Sequence, residues 1–552
     1  MPDSTLTDRL DSWKEIAAFL RRDVRTVQRW EKKEGLPVHR HQHEKLGSVY
    51  AFRGELNQWF NTRLPAPAAA AGHQKSPDKI KLAILPFQDL AAGQEGSYFA
   101  DGLTEEMTTQ VTRLQPGELA VIARSTAEHY DATEQSLRKL KQDLGVDYVL
   151  EGKVRRSGNR VRITARLSEV QDQTQMWAET YERDLSDVLS VQAEIAEAIA
   201  REINVALNFA ESTRLSRLRQ GHRVDPEAYD AYLQGRYHLH AMSSAEIRKS
   251  ITHFDRALKL GADYAPAHAG LASAWALLAV APFDAVAPGE AMPKAEAAAQ
   301  RAVKLDDGLA EAHAALALVN HHYRWNWQSA QHGYRRAIEL NPNYAGAHLW
   351  FSWMLLALGR RDQAFHEIDE TQRIVEETDP HRLVAVHATR AQAYYFGREF
   401  QRAVEECEKA LQLDPRHFMP HYILGRTYRR LGEGKKAIAE LKAARECADD
   451  APLVDAVLGL AYAVGGQMAD AQRMMDSFKT AAKKRYIPPT YFGMLFAGLG
   501  DKDQAFKWLE KAFAERADGL TWLSVEPMLD GLRDDPRFHD LVRRVGLVEN
   551  RN

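Results

Sequence analysis

Leu424-Gly425-Arg426-Thr427-Tyr428, followed by Gly432, Ala437, Leu441 and Ala444, is the stretch from which the architecture of this 552-residue chain can be read. Ala437, Leu441 and Ala444 repeat at i, i+4 and i+7, so a second helix follows the one that carries Leu424 and Tyr428. Gly425 lets the two helices approach, Tyr428 fills the groove, and Ala437 and Ala444 are small where the helices cross. Ala410, Ala444, Phe478 and Ala512 are spaced by 34 residues, so the unit recurs. Arg256-Ala257-Leu258-Lys259-Leu260, Arg301 to Asp306, Arg336-Ala337-Ile338-Glu339-Leu340-Asn341-Pro342 and Lys409 to Pro415 are related segments. Their Asn-Pro and Asp-Pro dipeptides separate successive units, because the residue before proline disfavours the helical region. From about Tyr229 onward the pattern predicts seven or eight helical hairpins, with insertions at Pro282 to Pro293 and Glu376 to Pro380.

The period resembles that of tetratricopeptide repeats. The resemblance implies an all-α solenoid over residues 225–548, a surface for a protein or peptide partner with no chemistry of its own. Tyr323, Trp325, Trp327, Trp350, Trp353, Tyr394 and Tyr395 could line a concave groove or fill the inter-helix core, and the core reading is preferred. Arg360, Arg361, Arg398, Arg429 and Arg430 fall near helix ends, where they would complement the helix dipoles. That reading is preferred to an acidic-peptide site.

Upstream, the periodicity changes. Lys81-Leu82-Ala83-Ile84-Leu85-Pro86-Phe87 reads as a buried strand, followed by a helix with Phe99, Leu103, Met107, Val111 and Leu114 on one face. Leu119 to Ala123 is a second strand, and a helix lined by Leu137, Leu140 and Leu144 stops at Gly145. Tyr148 to Arg156 and Arg160 to Leu167 form a hairpin about Ser157-Gly158-Asn159. A strand near Met176-Trp177 and a helix from about Val188 to Leu207 complete an α/β domain over residues 79–210, in the order βαβαβββα. Ala83 to Phe87, Tyr98-Phe99-Ala100-Asp101-Gly102-Leu103, Gly145 to Gly152 and Trp177-Ala178-Glu179-Thr180-Tyr181 resemble the FlgO-like domain, which is similar to the TolB amino-terminal domain. That resemblance implies a connector between an amino-terminal DNA-binding or cyclase module and the repeats, without a defined catalytic residue. Asp101, Glu105 and Arg124 could frame a polar pocket beside Gly102. Close packing of helix on sheet is the preferred reading. Arg155, Arg156, Arg160, Arg162 and Arg166 make a basic ribbon that could touch nucleic acid, though a solvated hairpin face is preferred.

Residues 64–78, rich in Pro and Ala, read as a tether. Before it, residues 1–63 carry the ligand-specifying pattern. Ile16, Ala17, Phe19 and Leu20 form one helix face, and Val24, Val27 and Trp30 a second, with Asp23 placed to cap. Gly35-Leu36-Pro37 ends that helix. Val38 to His43 and Ser48 to Phe52 read as two short strands about Glu44 to Gly47, and Arg53 to Arg63 as a third helix. From Ser12 to Arg63 there are eleven Lys or Arg against six Asp or Glu, in a chain whose net charge is −3. This segment resembles the excisionase and MerR-type winged helix. The outward positions Arg25, Thr26, Gln28, Arg29 and Lys32, with His39, Arg40 and Lys45 of the wing, are the candidate DNA contacts. His39, His41 and His43 alternate along one strand and could bind a metal. Without a Cys or carboxylate partner, contact with phosphates is the preferred reading.

Bulk properties restrict the remaining classes. No run of about eighteen apolar residues spans a membrane, and no secretory signal is visible. Cys407 and Cys447 both lie in helical patterns and fit a reducing compartment. A Walker loop, Gly-x-Gly-x-x-Gly after a strand, His-Glu-x-x-His, paired Cys-x-x-Cys and Gly-x-Ser-x-Gly are all absent. The expectation is a multidomain, mainly α protein: a small winged helix-turn-helix, an α/β connector and an all-α solenoid. Its expected role is a cytoplasmic DNA-binding transcriptional regulator, a homo-oligomer on double-stranded DNA with a protein or peptide partner. It is expected to have no catalytic residues, cofactor or metal. The alternative is a scaffold that does not bind DNA.

Overall fold

The computed structural model describes residues 9–10, 12–19, 27, 31, 36–40, 49–52, 79–90, 97–112, 114, 119–122, 127, 130, 133–203, 224–240, 243–281, 283, 286–378, 382–448 and 452–547. They fall into two units, Met1–Asp78 and Lys79–Asn552.

In the first unit, β1 (Arg9–Leu10), β2 (His39–Arg40) and β3 (Val49–Phe52) form a sheet in the order β1-β3-β2. Both pairings are antiparallel, with Arg9 opposite Phe52 and His39 opposite Tyr50. Helix α1 (Trp13–Phe19) begins at Ser12, whose Oγ accepts the Glu15 amide at 3.2 Å. Ile16 of α1 and the helical Val27 share a core with Leu10, Leu36, Val49 and Ala51. The expected strand pair is therefore present, while β1 on its other side has no counterpart in the sequence reading. The expected third helix and the tether lie outside the described residues.

The second unit opens with a sheet of β4 (Ile80–Ile84), β6 (Leu119–Ile122), β7 (Tyr148–Ser157), β8 (Arg160–Glu169) and β9 (Gln175–Asp184). Their order across it is β6-β4-β7-β8-β9. A short β5 (Gln88–Asp89) pairs with β7. β4 runs parallel to β6 and β7, because helical crossovers join them, and β7-β8-β9 is an antiparallel meander. Gly158, at φ 60°, takes the first place of the two-residue β7–β8 turn, a position that demands positive φ.

Helix α2 (Ser97–Thr112) buries Phe99, Leu103, Met107 and Val111 on one face of the sheet. Helix α4 (Val188–Glu202) adds Val188, Val191, Ile195 and Ile199 to the same core. Helix α3 (Glu134–Leu144) covers the other face with Leu137 and Leu140 against Ala83, Ile122 and Val149, capped by Thr133 and stopped by left-handed Gly145.

Sixteen further helices follow as eight hairpins among the described residues. The first three pairs are α5 (Pro226–His240) with α6 (Ser244–Leu260), α7 (Ala265–Leu278) with α8 (Pro288–Leu305), and α9 (Ala310–Val319) with α10 (Trp327–Leu340). Next come α11 (Ala345–Ala357) with α12 (Arg361–Thr378), α13 (Leu383–Phe396) with α14 (Phe400–Leu413), and α15 (Phe418–Arg430) with α16 (Gly434–Cys447). The last pairs are α17 (Pro452–Val464) with α18 (Met468–Ala481), and α19 (Pro489–Gly498) with α20 (Lys502–Ala514). Ala410, Ala444, Phe478 and Ala512 are all buried, as their shared period requires. A Cβ on Gly425 would stand 2.4 Å from Leu441 Cγ, so glycine is what lets α15 meet α16.

One expected insertion is shorter than its prolines suggest. α8 starts at Pro288, where a missing amide costs nothing, and continues through Pro293 with the loss of one hydrogen bond. The other ends α12 at Thr378, and residues 379–381 lie outside the described residues. Beyond α20, two 3-10 turns (Asp518–Trp522 and Pro527–Leu532) and α21 (Pro536–Val545) break the period.

Candidate nucleic-acid interface and partner groove

The described portion of the first unit places two of the expected DNA contacts. His39 lies on β2, and its ring stacks on Tyr50 with centroids 5.1 Å apart. The Arg40 backbone lies on the same strand, opposite Val49. The Arg40 side chain lies outside the described residues, as do Arg25, Thr26, Gln28, Arg29, Lys32, Lys45, His41 and His43. The packing of Ile16 with Val27 is what is visible of the two-helix arrangement.

The helical array closes on itself through residues 518–547. Glu526 is buried and takes a hydrogen bond from Tyr395 Oη at 3.1 Å and an ion pair from Arg426. Its Oε1 also accepts the Met528 amide at 2.9 Å. The Arg426 guanidinium lies over the Tyr395 ring, 4.1 Å from its centroid, and faces Tyr422 at 5.0 Å. Asp530 accepts from Arg398 at 2.6 Å, Arg430 at 3.1 Å and Arg533 at 2.8 Å. Farther along, Asp518 meets His322 Nδ1 at 2.5 Å and the Ala281 amide at 3.3 Å, and Trp327 Nε1 donates to the Val545 carbonyl at 3.0 Å.

Of the arginines expected to serve helix dipoles, Arg398 and Arg430 thus hold Asp530, Arg361 holds Glu399, and Arg360 donates to Gln331 at 2.6 Å. Full carboxylates take Arg361, Arg398 and Arg430 because they outcompete a partial helix-end charge, and the neutral Gln331 amide takes Arg360. Six of the seven aromatics follow the core reading: Trp325 and Tyr395 are buried, and Tyr323, Trp327, Trp350 and Tyr394 are partly buried against the core, while the half-buried Trp353 donates to Thr389 Oγ1 at 3.5 Å.

Arg426, Glu526, Asp518 and Asp530 went unread in the sequence, although the apolar density of Leu520, Leu523, Val525, Met528, Leu529 and Leu532 after the last 34-residue step was a visible signal. Equally unread was the turn of π-helix at Asn320–Arg324, which buries His321 and His322 and ends at left-handed Trp325. Burial holds His321 well below the ordinary histidine value, and the neighbouring His322 adds to that effect.

The junction of the α/β domain with the first hairpin revises two expectations. Gly102 packs on a helix rather than on the sheet: a Cβ there would stand 2.7 Å from Leu233 Cδ1 of α5. The carboxylate that matters is Glu106, buried and hydrogen-bonded by Tyr232 Oη at 2.9 Å and by Arg236. Arg124 and the Glu105 side chain lie outside the described residues. Gln192 of α4 donates to Tyr229 Oη at 2.6 Å, which joins sheet domain and repeats through one continuous core.

The basic ribbon also divides. Strand alternation sends Arg156 to the opposite face from Arg155, where it bonds Asp230 of α5 at 2.9 Å. Arg155, Arg160, Arg162 and Arg166 stay on the face that α3 leaves open, with Lys153 beside them. Glu182 of β9 is shared between Arg162 at 2.8 Å and Arg160 at 3.4 Å.

Among the described residues no group of three or more His, Cys, Asp or Glu could hold a metal ion. No helix among them is long and apolar enough to cross a membrane. Cys407 is buried and Cys447 partly so, and neither forms a disulfide.

With this geometry in view, comparison with known proteins distinguishes the segments. Residues 78–198 match the HilA/YgeH-like transcriptional regulator, second domain. Residues 398–461 match the tetratricopeptide repeat. A Rhizobium meliloti (strain 1021) protein named "Putative adenylate cyclase 3" is 35% identical over 260 residues, 47% of this chain. This chain spans 43% of that relative's length.

Among solved structures, Pseudomonas aeruginosa PilF is 15% identical, covering 40% of this chain and 90% of its own, at a TM-score of 0.29. The repeat protein YrrB is 20% identical over 34% of this chain and 89% of its own, at 0.23. Human IFIT1 is 15% identical over 65% of this chain and 85% of its own, at 0.37. Likeness at these scores supports no inference about ligands. The second unit thus combines a HilA/YgeH-like regulator domain with tetratricopeptide repeats.

Proposed function

We propose that the chain is a cytoplasmic, DNA-binding transcriptional regulator that works as a homo-oligomer on double-stranded DNA. The carrying observation is the match of residues 78–198 to the second domain of a HilA/YgeH-like transcriptional regulator, downstream of a basic unit with a helix and a strand pair. In this reading residues 1–63 are a winged helix of excisionase/MerR type and 64–78 a tether. Residues 79–210 are a FlgO-like connector and 225–548 a solenoid that receives a protein or peptide signal. Arg25, Thr26, Gln28, Arg29 and Lys32 enter the major groove, and His39, Arg40 and Lys45 hold phosphates.

In this reading the portion shared with the relative named "Putative adenylate cyclase 3" is not the catalytic part of that protein. Its 260 matched residues exceed the 78 of the first unit, so most of them fall within Lys79–Asn552. We read the shared portion as the connector and repeats, joined there to a different output module. Binding of full-length protein to genomic fragments, followed by fluorescence anisotropy, tests the regulator reading. Sequence-selective, salt-dependent binding is expected, and R25A/R29A should remove most of it. Weak binding that ignores sequence would sink the reading in favour of a scaffold.

A further inference from the structure

The open face of β7, β8 and β9 has a charge arrangement that the fold itself does not need. Arg155 and Arg162 are register partners on adjacent strands, and like charges so placed repel. Lys153, Arg155 and Arg166 are exposed and make no ion pair among the described residues, and Arg160 and Arg162 share the single carboxylate of Glu182. Thr164 and Thr180, hydrogen-bonded to each other at 3.1 Å, sit at the centre of this face. Glu151 and Asp184 complete it, leaving five cations against three acids. The pleat spaces side chains about 7 Å apart along a strand and about 5 Å across it. The cations therefore form a fixed, closely set array.

We propose that this face binds the phosphate backbone of nucleic acid, as a second holding surface in addition to the one assigned to residues 1–63. The inference rests on the DNA-binding reading above. Two observations favour phosphates over an acidic protein. Ala178 is the one apolar side chain in register with the array, with Met176 at its edge, whereas a protein interface has an apolar centre with aromatic anchors. Four of the five cations are arginine, whose planar fork matches phosphate oxygens. The surface positions without reading bases, so it adds affinity and salt dependence but no sequence preference.

The test uses the full chain and a mixed-sequence DNA duplex, titrated by fluorescence anisotropy between about 50 and 200 mM salt. K153Q/R155Q/R166Q should lower the slope of log affinity against log salt by roughly 2 to 3 and weaken binding about tenfold. R183Q on β9, exposed but in register with Val161 on the opposite face of the sheet, should change neither. If the triple variant matches wild type while R25A/R29A loses binding, this proposal falls and the regulator reading stands. If wild type binds no duplex at any salt, both fall. Unchanged DNA binding with lost retention on a poly-glutamate matrix would assign the face to an acidic protein instead and overturn the phosphate proposal.

Discussion

Arg426 and Glu526, one hundred residues apart in the chain, form an ion pair whose side chains are 3% and 6% exposed. Such a pair gains Coulomb energy only by giving up hydration on both sides, so its loss is asymmetric: one partner alone is far worse than neither. Glu526→Gln should destabilise the second unit by about 3–5 kcal/mol, because Arg426 keeps its charge in a dry site. R426L/E526L should cost less than E526Q alone. Denaturant midpoints of the three proteins check this, and a double variant as unstable as E526Q would contradict it.

A second prediction concerns the seat of the α/β domain on the first hairpin. Gly102→Ala drives a methyl into Leu233, whose Cβ and both Cδ atoms would lie within 3 Å. A loss of about 1–3 kcal/mol is expected, since overpacking forces backbone movement or an off-rotamer side chain. G102A/L233A should recover some of it. If G102A unfolds at the wild-type midpoint, the helices are not in close contact at this point.

The third is a pH dependence. Glu440, 2.7 Å from His421 Nδ1, raises the imidazole above its ordinary value; burial opposes this, and the Pro415 carbonyl and Asp414 reinforce it. A folded value above the unfolded value of about 6.5 means that the folded state holds the proton more tightly. The stabilisation is complete below about 6.5 and fades as pH rises through the folded value. The stability gap between wild type and His421→Gln should therefore be wide near pH 6 and narrow toward pH 8. Thermal melts at both pH values decide it, and an equal gap would remove Glu440 as the cause.

The fourth separates folding from binding on the sheet face. Arg155→Thr removes the repulsion with Arg162 and introduces a residue that favours strands. Unfolding should cost about 0.2–1 kcal/mol more than in wild type, while duplex affinity falls. A variant that loses stability would show that Arg155 already has a favourable partner.

Much of this architecture was legible in the residues. The 34-residue spacing from Ala410 to Ala512 marks positions where helices cross, and such crossings recur because each repeat packs on its neighbour. The apolar face from Phe99 to Val111 and the left-handed stop at Gly145 were equally local, and both stand as read. What escaped was long-range. Nothing around Glu526 announces Arg426, and nothing around Asp518 announces His322, because an ion pair formed through tertiary folding leaves no period. Arg155 and Arg156 show the opposite failure: alternation sends them to opposite faces, and counting them as one ribbon overlooked it. Of the proposed nucleic-acid contacts, the structure describes His39 and the Arg40 backbone on β2, while the positions from Arg25 to Lys32 rest on residue type and spacing.

Asp518 reaches back to Ala281 and His322, and Val545 to Trp327, across more than 190 residues of chain. An open stack of repeats stretches like a spring and frays from its ends, each repeat answering only to its neighbours. Here a clasp joins the eighth hairpin's sequel to the second and third, so load applied at one place is shared around a loop. The middle of the array should consequently exchange its amide protons in concert with the clasp, and opening the clasp would free the hairpins together.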